Sequence, residues 1–304
     1  MSENYDVAII GGGVVGSAIA RELTRYQLRI VVLEKESDVC VGISGHNTGL
    51  LHTPLCYDKG SLKSDCCLEG NEGFDQVAEE LGVPFRRCGK FVVGFGDEER
   101  GRLTALFDRG KSAGAKGLRM ITHEELKEME PNANGDYAVY VPTSGIMDPF
   151  QYTIALAENA AMNGAKYCFN SEVTRISREG NKYYLEAGKG TFKAKWIINS
   201  AGLNAYKISG MLGYKEYIPD RTKGEYTILD KHVGSKLSRP VYPTPKEDGN
   251  YDVHVTPTVD GNILVGPTIE YFGTKPVDYS VSQEMINVIA KDGIKLFDDM
   301  KKEY

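Results

Sequence analysis

Three glycines stand at Gly11, Gly13 and Gly16, after the apolar run Tyr5-Asp-Val-Ala-Ile-Ile10 and before the amphipathic stretch Val14-Val-Gly-Ser-Ala-Ile-Ala-Arg-Glu-Leu23. In that setting the spacing Gly-x-Gly-x-x-Gly is a dinucleotide phosphate fingerprint. The first glycine permits the tight turn, the second lets backbone approach a pyrophosphate, and the third lets helix and strand pack closely. The helix opening at Val14 and Val15 then turns its N–H groups and positive dipole end toward the anion. A second apolar strand, Leu28-Arg-Ile-Val-Val-Leu33, runs into Glu34-Lys35, and Glu34 lies 18 residues after Gly16. A carboxylate there accepts the hydroxyls of a ribose diol and repels a 2′-phosphate, which favours FAD or NAD over NADP without separating those two.

Removing a hydride from a carbon that bears a hydroxyl also requires a group to accept the hydroxyl proton, and histidine suits neutral pH. Of the five histidines, His123 sits in the capping box Thr122-His-Glu-Glu125 and His232 in a polar turn. His52 and His254 are left as catalytic candidates. Alternation in Tyr251-Asp-Val-His-Val-Thr256 puts Asp252, His254 and Thr256 on one face and the valines on the other. Were the substrate an anion it would call for cationic anchors; Arg221 and Lys223, singled out by the resemblance given below, are the candidates, with Glu225 to orient them or act as acid or base, and Tyr242 as a hydroxyl donor.

The elements around these residues read as strand, turn, helix, strand at the start, then helix Ser61 to Leu81, strand Phe91 to Phe95, helix Glu98 to Gly114 and a short capped helix at Thr122. Asp148-Pro149 opens a further helix closed by Gly164. Four short strands follow, Lys166 to Phe169, Val173 to Arg178, Lys182 to Ala187 and Thr191 to Asn199, a meander and a returning strand. Tyr226 to Leu229, Tyr251 to Thr256 and Asn262 to Val265 add antiparallel character, with Asp260-Gly261 as the hairpin turn. An apolar stripe from Ser282 to Tyr304 forms a last helix, and the chain stops there without a closing strand.

Composition narrows the function classes. With 304 residues, 41% of them hydrophobic, there is ample core for two intertwined domains. The net charge of −6, without a basic block, disfavours nucleic acid. No apolar run approaches the length of a transmembrane span and no secretory leader precedes the first strand. Six cysteines without a Cys-x-x-Cys pair point to reduced thiols in the cytoplasm, with peripheral membrane association still open, and no metal site is expected.

Two further stretches, Gly45-His-Asn-Thr-Gly-Leu-Leu-His52 and Trp196-Ile-Ile-Asn-Ser-Ala-Gly202, decide between the dinucleotides. With them the chain resembles the D-amino-acid-oxidase-like (DAO) superfamily of FAD-dependent oxidoreductases. It is most similar to the branch of L-2-hydroxyglutarate dehydrogenases and glycerol-3-phosphate dehydrogenase-like proteins. The likeness also rests on Gly60-Ser-Leu-Lys63, Arg87-Cys-Gly-Lys90, Pro142-Thr-Ser-Gly-Ile146, Lys223-Gly-Glu-Tyr226, Val241-Tyr-Pro-Thr-Pro245 and the segment Thr256 to Pro267.

The resemblance implies an α/β fold: a Rossmann-like FAD-binding domain of the glutathione-reductase type, with a β-meander, plus a mixed antiparallel-sheet substrate domain. The expected bounds are 1–84 and 145–215 for the first, 85–144 and 216–280 for the second, and 281–304 for a terminal helix. It implies that Glu34, followed by Lys35, holds the adenosine ribose, that Val173 meets adenine through its backbone, and that Ala201 and Gly202 pass close to the dinucleotide. The loop of Ser44, Gly45, His46, Asn47, Thr48, Gly49 and Leu50 is implied to run along the pyrophosphate and ribityl chain. Arg221 and Lys223 precede a strand that the family places over the flavin face.

The implied chemistry is hydride transfer to flavin N5 from a small anionic hydroxy compound, glycerol 3-phosphate or L-2-hydroxyglutarate, with the electron acceptor (oxygen, a quinone or a redox protein) unspecified. The alternatives are amine oxidation on the same flavin geometry, a non-catalytic flavin-binding electron-transfer scaffold, or an NAD-linked dehydrogenase without flavin. Two departures stand out. Leu51-His-Thr-Pro54 replaces the Ile-His-Ala-Gly of many relatives, and the family's continuation, a segment that completes the sheet and meets the flavin's pyrimidine edge, is absent from the 304 residues.

Overall fold

A computed structural model describes residues 3–188, 190–246, 251–273 and 278–302. Lys189 of the meander turn and the last two residues of the tail lie outside them. The chain divides into two compact units, one of residues 1–47, 80–83 and 149–221, the other of 48–79, 84–148 and 222–304.

The first unit is built on a six-stranded sheet in the order Val173–Glu179, Lys182–Ala187, Gly190–Asn199, Glu3–Ile10, Ile30–Leu33, Lys166–Cys168. The last four run parallel and the first two form the antiparallel meander. A parallel sheet needs cover on both faces. Val7, Ile9, Ile30 and Val32 pack on one side with Ala20 of the helix Val14–Leu23 and Ala160 of the helix Pro149–Met162. Ala8, Ile10, Val31 and Leu33 pack on the other with Leu185, Ala194 and Ile208. Period-two alternation into two buried faces is why these strands are almost uniformly apolar.

The second unit carries a seven-stranded sheet in the order Thr227–Leu229, Ile263–Gly266, His254–Pro257, Val241–Pro243, Lys90–Gly94, Tyr137–Val141, Arg119–Thr122. All pairs are antiparallel except Val241–Pro243 with Lys90–Gly94. One face, with Phe91, Val93, Val241, Val253, Val255, Ile263 and Val265, buries against Ile289, Leu296, Phe297 and Met300 of the chain's last helical segments. The helix Gln283–Leu296, capped by the Ser282 side chain, is therefore part of this unit's core. The other face holds Val92, Val139, Val141 and Tyr242 together with Leu50, Leu55, Leu103 and Ile146.

The domain bounds differ from those expected at one large segment. Residues 48–79, with all but the last two residues of the helix Leu62–Leu81, join the second unit. A strand Leu50–Leu51 pairs with Gly145–Met147, which pairs in turn with Phe85–Arg86. Arg87 fastens the helix to the same unit: its Nε donates to Asp75 Oδ1 at 2.7 Å, its Nη1 to the Thr143 carbonyl at 2.6 Å, and its Nη2 to the Asn71 carbonyl. The capping box at Thr122–Glu125 and the Gly261 hairpin (φ +90°) form as expected. Among the described residues no helix is long and apolar enough to cross a membrane.

Candidate active site

In the first unit the glycine turn is a close three-layer contact. Gly11 has φ +106°, and a methyl there would lie 2.4 Å from the Ser200 carbonyl oxygen. A methyl on Gly16 would stand 2.0 Å from the Gly11 carbonyl oxygen, so helix and turn touch backbone to backbone. Gly13 is different. Its backbone is extended (φ −72°, ψ −176°) and only Ser44 Oγ, at 3.0 Å, lies within 4 Å of where a methyl would sit. A side chain there meets no backbone and presses only on the Ser44 hydroxyl, which would have to shift by a few tenths of an ångström.

The helix start has no side-chain cap and no acidic residue in its first turn, and Val15 is exposed. Ser44 Oγ accepts the Val14 N–H at 2.9 Å, tying the following loop to that helix end. Glu34 leaves its strand facing the turn, its Oε2 accepting the Gly12 N–H at 2.6 Å and its Oε1 the Glu36 N–H at 2.9 Å. Lys35 is paired with Glu36 at 2.6 Å. His46 Nδ1 meets the Gly42 carbonyl at 2.9 Å and Asn47 Nδ2 donates to the Ser44 carbonyl at 2.8 Å, so both side chains brace their own short 3₁₀ turn, Ile43–Gly45. Val173 is buried at the start of the meander, and Ala201 and Gly202 begin a turn with φ +53° at the glycine. Arg221 closes this unit, nearly buried, with its guanidinium 5.9 Å from the Tyr206 ring centre.

Ser200 is a residue that the motif reading passes over. Its hydroxyl donates to the carbonyls of Ile10 at 2.9 Å and Gly11 at 3.2 Å, locking the turn to the returning strand. The signal was present in Asn199-Ser-Ala-Gly202, where a small hydroxyl residue ends a strand.

In the second unit the sheet face opposite the Gln283–Leu296 helix gathers polar chemistry. Pairing of Val241 with Val255 sets Tyr242 beside His254, and the two rings stack at 3.8 Å and 9°. His254 Nδ1 lies 3.2 Å from Thr256 Oγ1. Gly49 accepts the Met147 N–H at 2.7 Å and Leu50 is buried in the core. Lys90 begins the neighbouring strand on the face it shares with Val92, and its Nζ sits 4.6 Å from the Tyr242 ring centre and 5.9 Å from that of Tyr251. Tyr251 stands edge-on to Tyr242 and its hydroxyl meets Cys56 Sγ at 3.0 Å.

Burial sets the electrostatics here. It lowers His254 well below the ordinary imidazole value, with the positive charge of Lys90 adding to the effect. The same causes, with Lys63 as well, push His52 down to about 3. His52 is at the same time exposed to solvent. Lys90 is pushed down to about 8 by burial, against the opposing influence of Cys56 and Cys67. Burial also raises the Tyr242 phenol far above its usual range.

Lys223 and Glu225 form a separate group. Lys223 Nζ lies 3.0 Å from Glu225 Oε1 and 3.5 Å from Asp278 Oδ2, while Glu225 Oε2 accepts the Ser282 N–H at 2.9 Å. The ion pair thus anchors the cap of the last helix. Asp252, expected on the face of His254, is engaged by Lys246 at 2.5 Å. The structure brings together His254, Tyr242 and Thr256 of the expected set and adds Lys90. No local pattern marks that lysine except its place at the head of Phe91-Val-Val-Gly94, where alternation buries it.

A family model described as FAD dependent oxidoreductase (DAO) matches residues 6–303. The glycerol 3-phosphate dehydrogenase of Caloramator mitchellensis is 40% identical over 270 residues, covering 88% of this chain and 56% of that protein. The mitochondrial L-2-hydroxyglutarate dehydrogenase of Nematostella vectensis is 35% identical over 288 residues, covering 88% and 62%. The chain thus spans 56% and 62% of the lengths of these two relatives. Among solved structures, the dithionite-reduced L-α-glycerophosphate oxidase from Mycoplasma pneumoniae with FAD bound matches with a TM-score of 0.88 and 29% identity, over 97% of this chain and 79% of that one. The chain belongs to the FAD-dependent oxidoreductase (DAO) family.

Proposed function

We propose that the protein is an FAD-dependent dehydrogenase or oxidase acting on the CH–OH group of a small anionic hydroxy compound, with glycerol 3-phosphate and L-2-hydroxyglutarate as the two candidates. The fit of the cofactor rests on Gly13, where the chain's own backbone stays clear, a methyl would press only on the Ser44 hydroxyl, and a close-lying pyrophosphate accounts for glycine at that position. Gly11, Gly13, Val14, Val15 and Gly16 would hold the phosphates, Glu34 the ribose, and Ser44 the loop beside them. When bound, FAD supplies the acceptor for the substrate hydride.

The observation that carries the reading is the pair of imidazoles held neutral in the second unit, His254 against Tyr242 and His52 with solvent access. A base must start unprotonated, and the positive charge of Lys90 near both rings, with the burial of His254, favours the neutral form. His52 is the one that reaches water, so we assign it the substrate's hydroxyl proton and its release. His254, fixed by the Tyr242 stack and Thr256, orients the hydroxyl. The Lys223–Glu225 pair has a structural role in this scheme. The six free thiols support a reducing, cytoplasmic setting.

The test is the visible spectrum of the purified protein with added FAD, followed by anaerobic addition of glycerol 3-phosphate, L-2-hydroxyglutarate, glycine and L-proline in separate cuvettes. Bleaching by a hydroxy compound and not by the amino acids is expected. Bleaching by the amino acids alone supports the amine oxidase, a flavin spectrum that nothing bleaches supports the scaffold, and a colourless protein that binds NAD supports the NAD-linked enzyme.

A further inference from the structure

We infer that Lys90 receives the anionic group of the substrate, a carboxylate or phosphate oxyanion, on the sheet face it shares with Tyr242. The inference rests on the function proposed above and assigns the substrate's charge to one residue. Lys90 is 2% exposed, yet no carboxylate and no hydrogen-bond acceptor among the described residues pairs with its ammonium. Its neighbours are the ring faces of Tyr242 and Tyr251, the latter with its hydroxyl on Cys56 Sγ. A ring face offsets only part of the cost of removing an ammonium from water, so the site is built with a positive charge that the protein leaves unneutralised. Lysines retained purely for packing are normally paired or reach solvent.

The other cations the sequence offered do not fill this place. Lys223 already faces Glu225 and Asp278, and Arg221 stands over the Tyr206 ring. Lys63 is exposed over the Tyr57 ring. An oxyanion beside Lys90 would gain a charge-assisted hydrogen bond in a desolvated setting and would sit near Tyr242, which stacks on His254.

The test compares the FAD-loaded wild type with Lys90→Met, which keeps the side-chain length and removes the charge, and with Lys90→Arg, which restores it. Binding is read by calorimetry with 2-oxoglutarate for the carboxylate arm and dihydroxyacetone phosphate for the phosphate arm, ketones that cannot reduce the flavin. Wild type is expected to bind at least one of them, Lys90→Met to bind it about 30- to 100-fold more weakly, and Lys90→Arg to recover to within about tenfold. Without anion, Lys90→Met should keep its flavin spectrum and melt no lower than wild type, because an unneutralised buried charge has gone. Affinity for the ketone within about threefold of wild type in Lys90→Met overturns the inference alone. A Lys90→Met protein that melts well below wild type or does not fold also overturns it, since Lys90 is then a structural cation. Wild type that binds neither ketone removes the proposed substrate class and this inference together.

Discussion

Alanine at Gly13 and alanine at Gly16 separate a cofactor contact from a packing contact within one turn. At Gly16 the added methyl stands 2.0 Å from the Gly11 carbonyl oxygen and 2.8 Å from Ser200 Oγ. Ordinary contact needs more than 3 Å, so the helix must draw back from the turn. That movement strains the Ser200 bonds to Ile10 and Gly11 and the Ser17 Oγ bond to the Gly12 carbonyl. Overpacking of this kind costs about 1–3 kcal/mol, and the loss of a buried hydrogen bond about 1 kcal/mol more. At about 2–4 °C per kcal/mol, Gly16→Ala should lower the melting temperature of the flavin-free protein by roughly 4–16 °C. At Gly13 the backbone is already one that alanine adopts, and the methyl meets only Ser44 Oγ. The cost should stay near the ~1 kcal/mol separating alanine from glycine as an N-cap. FAD affinity should nonetheless fall about 5- to 100-fold, the equivalent of ~1–3 kcal/mol for a methyl forced against the pyrophosphate. Thermal melts of stripped protein and fluorescence titrations with FAD measure the two quantities. Gly13→Ala with wild-type FAD affinity refutes the reasoning, because the turn would then hold no phosphate at that point.

Three further outcomes are expected. His52→Asn should slow flavin reduction by about 100- to 10,000-fold in anaerobic stopped-flow while leaving the melting temperature and FAD spectrum unchanged. Arg87→Met, which leaves the Thr143 and Asn71 carbonyls without their guanidinium donor, should destabilise the protein by about 2–4 kcal/mol in urea titrations with FAD affinity intact once folded. Because His52 and His254 are held below the ordinary imidazole value of 6.5, the unfolded chain binds more protons below that pH. Stability should therefore fall as pH drops from about 6.5, and His254→Gln should flatten the slope in melts across that range.

The nucleotide half of the fold was legible because its signals are local. A glycine spacing, two apolar strands and Glu34 lie within one crossover, and the four strands from Lys166 to Asn199 form within a residue or so of the pattern. The His254 face was readable for the same reason, since alternation along one strand decides which side chains share it. What failed to show was pairing across distance. The stripe on Leu62–Leu81 announces a buried face without saying which unit covers it, and only the Arg87 contacts to Asn71, Asp75 and Thr143 reveal that. Lys223 reads as a free anchor until Asp278, 55 positions on, comes into range. For Lys90, alternation gives the buried face but not its neighbours, because Tyr242 and Tyr251 come from the far half of the chain.

The most direct measurement is anaerobic stopped-flow reduction of the FAD-loaded protein by glycerol 3-phosphate and by L-2-hydroxyglutarate, each with hydrogen or deuterium on the carbon that bears the hydroxyl. The account predicts that the oxidised-flavin absorbance is lost with at least one of them and is lost more slowly with deuterium, as cleavage of that C–H bond requires. A flavin that stays oxidised with both compounds, or is reduced at a rate indifferent to the isotope, contradicts it.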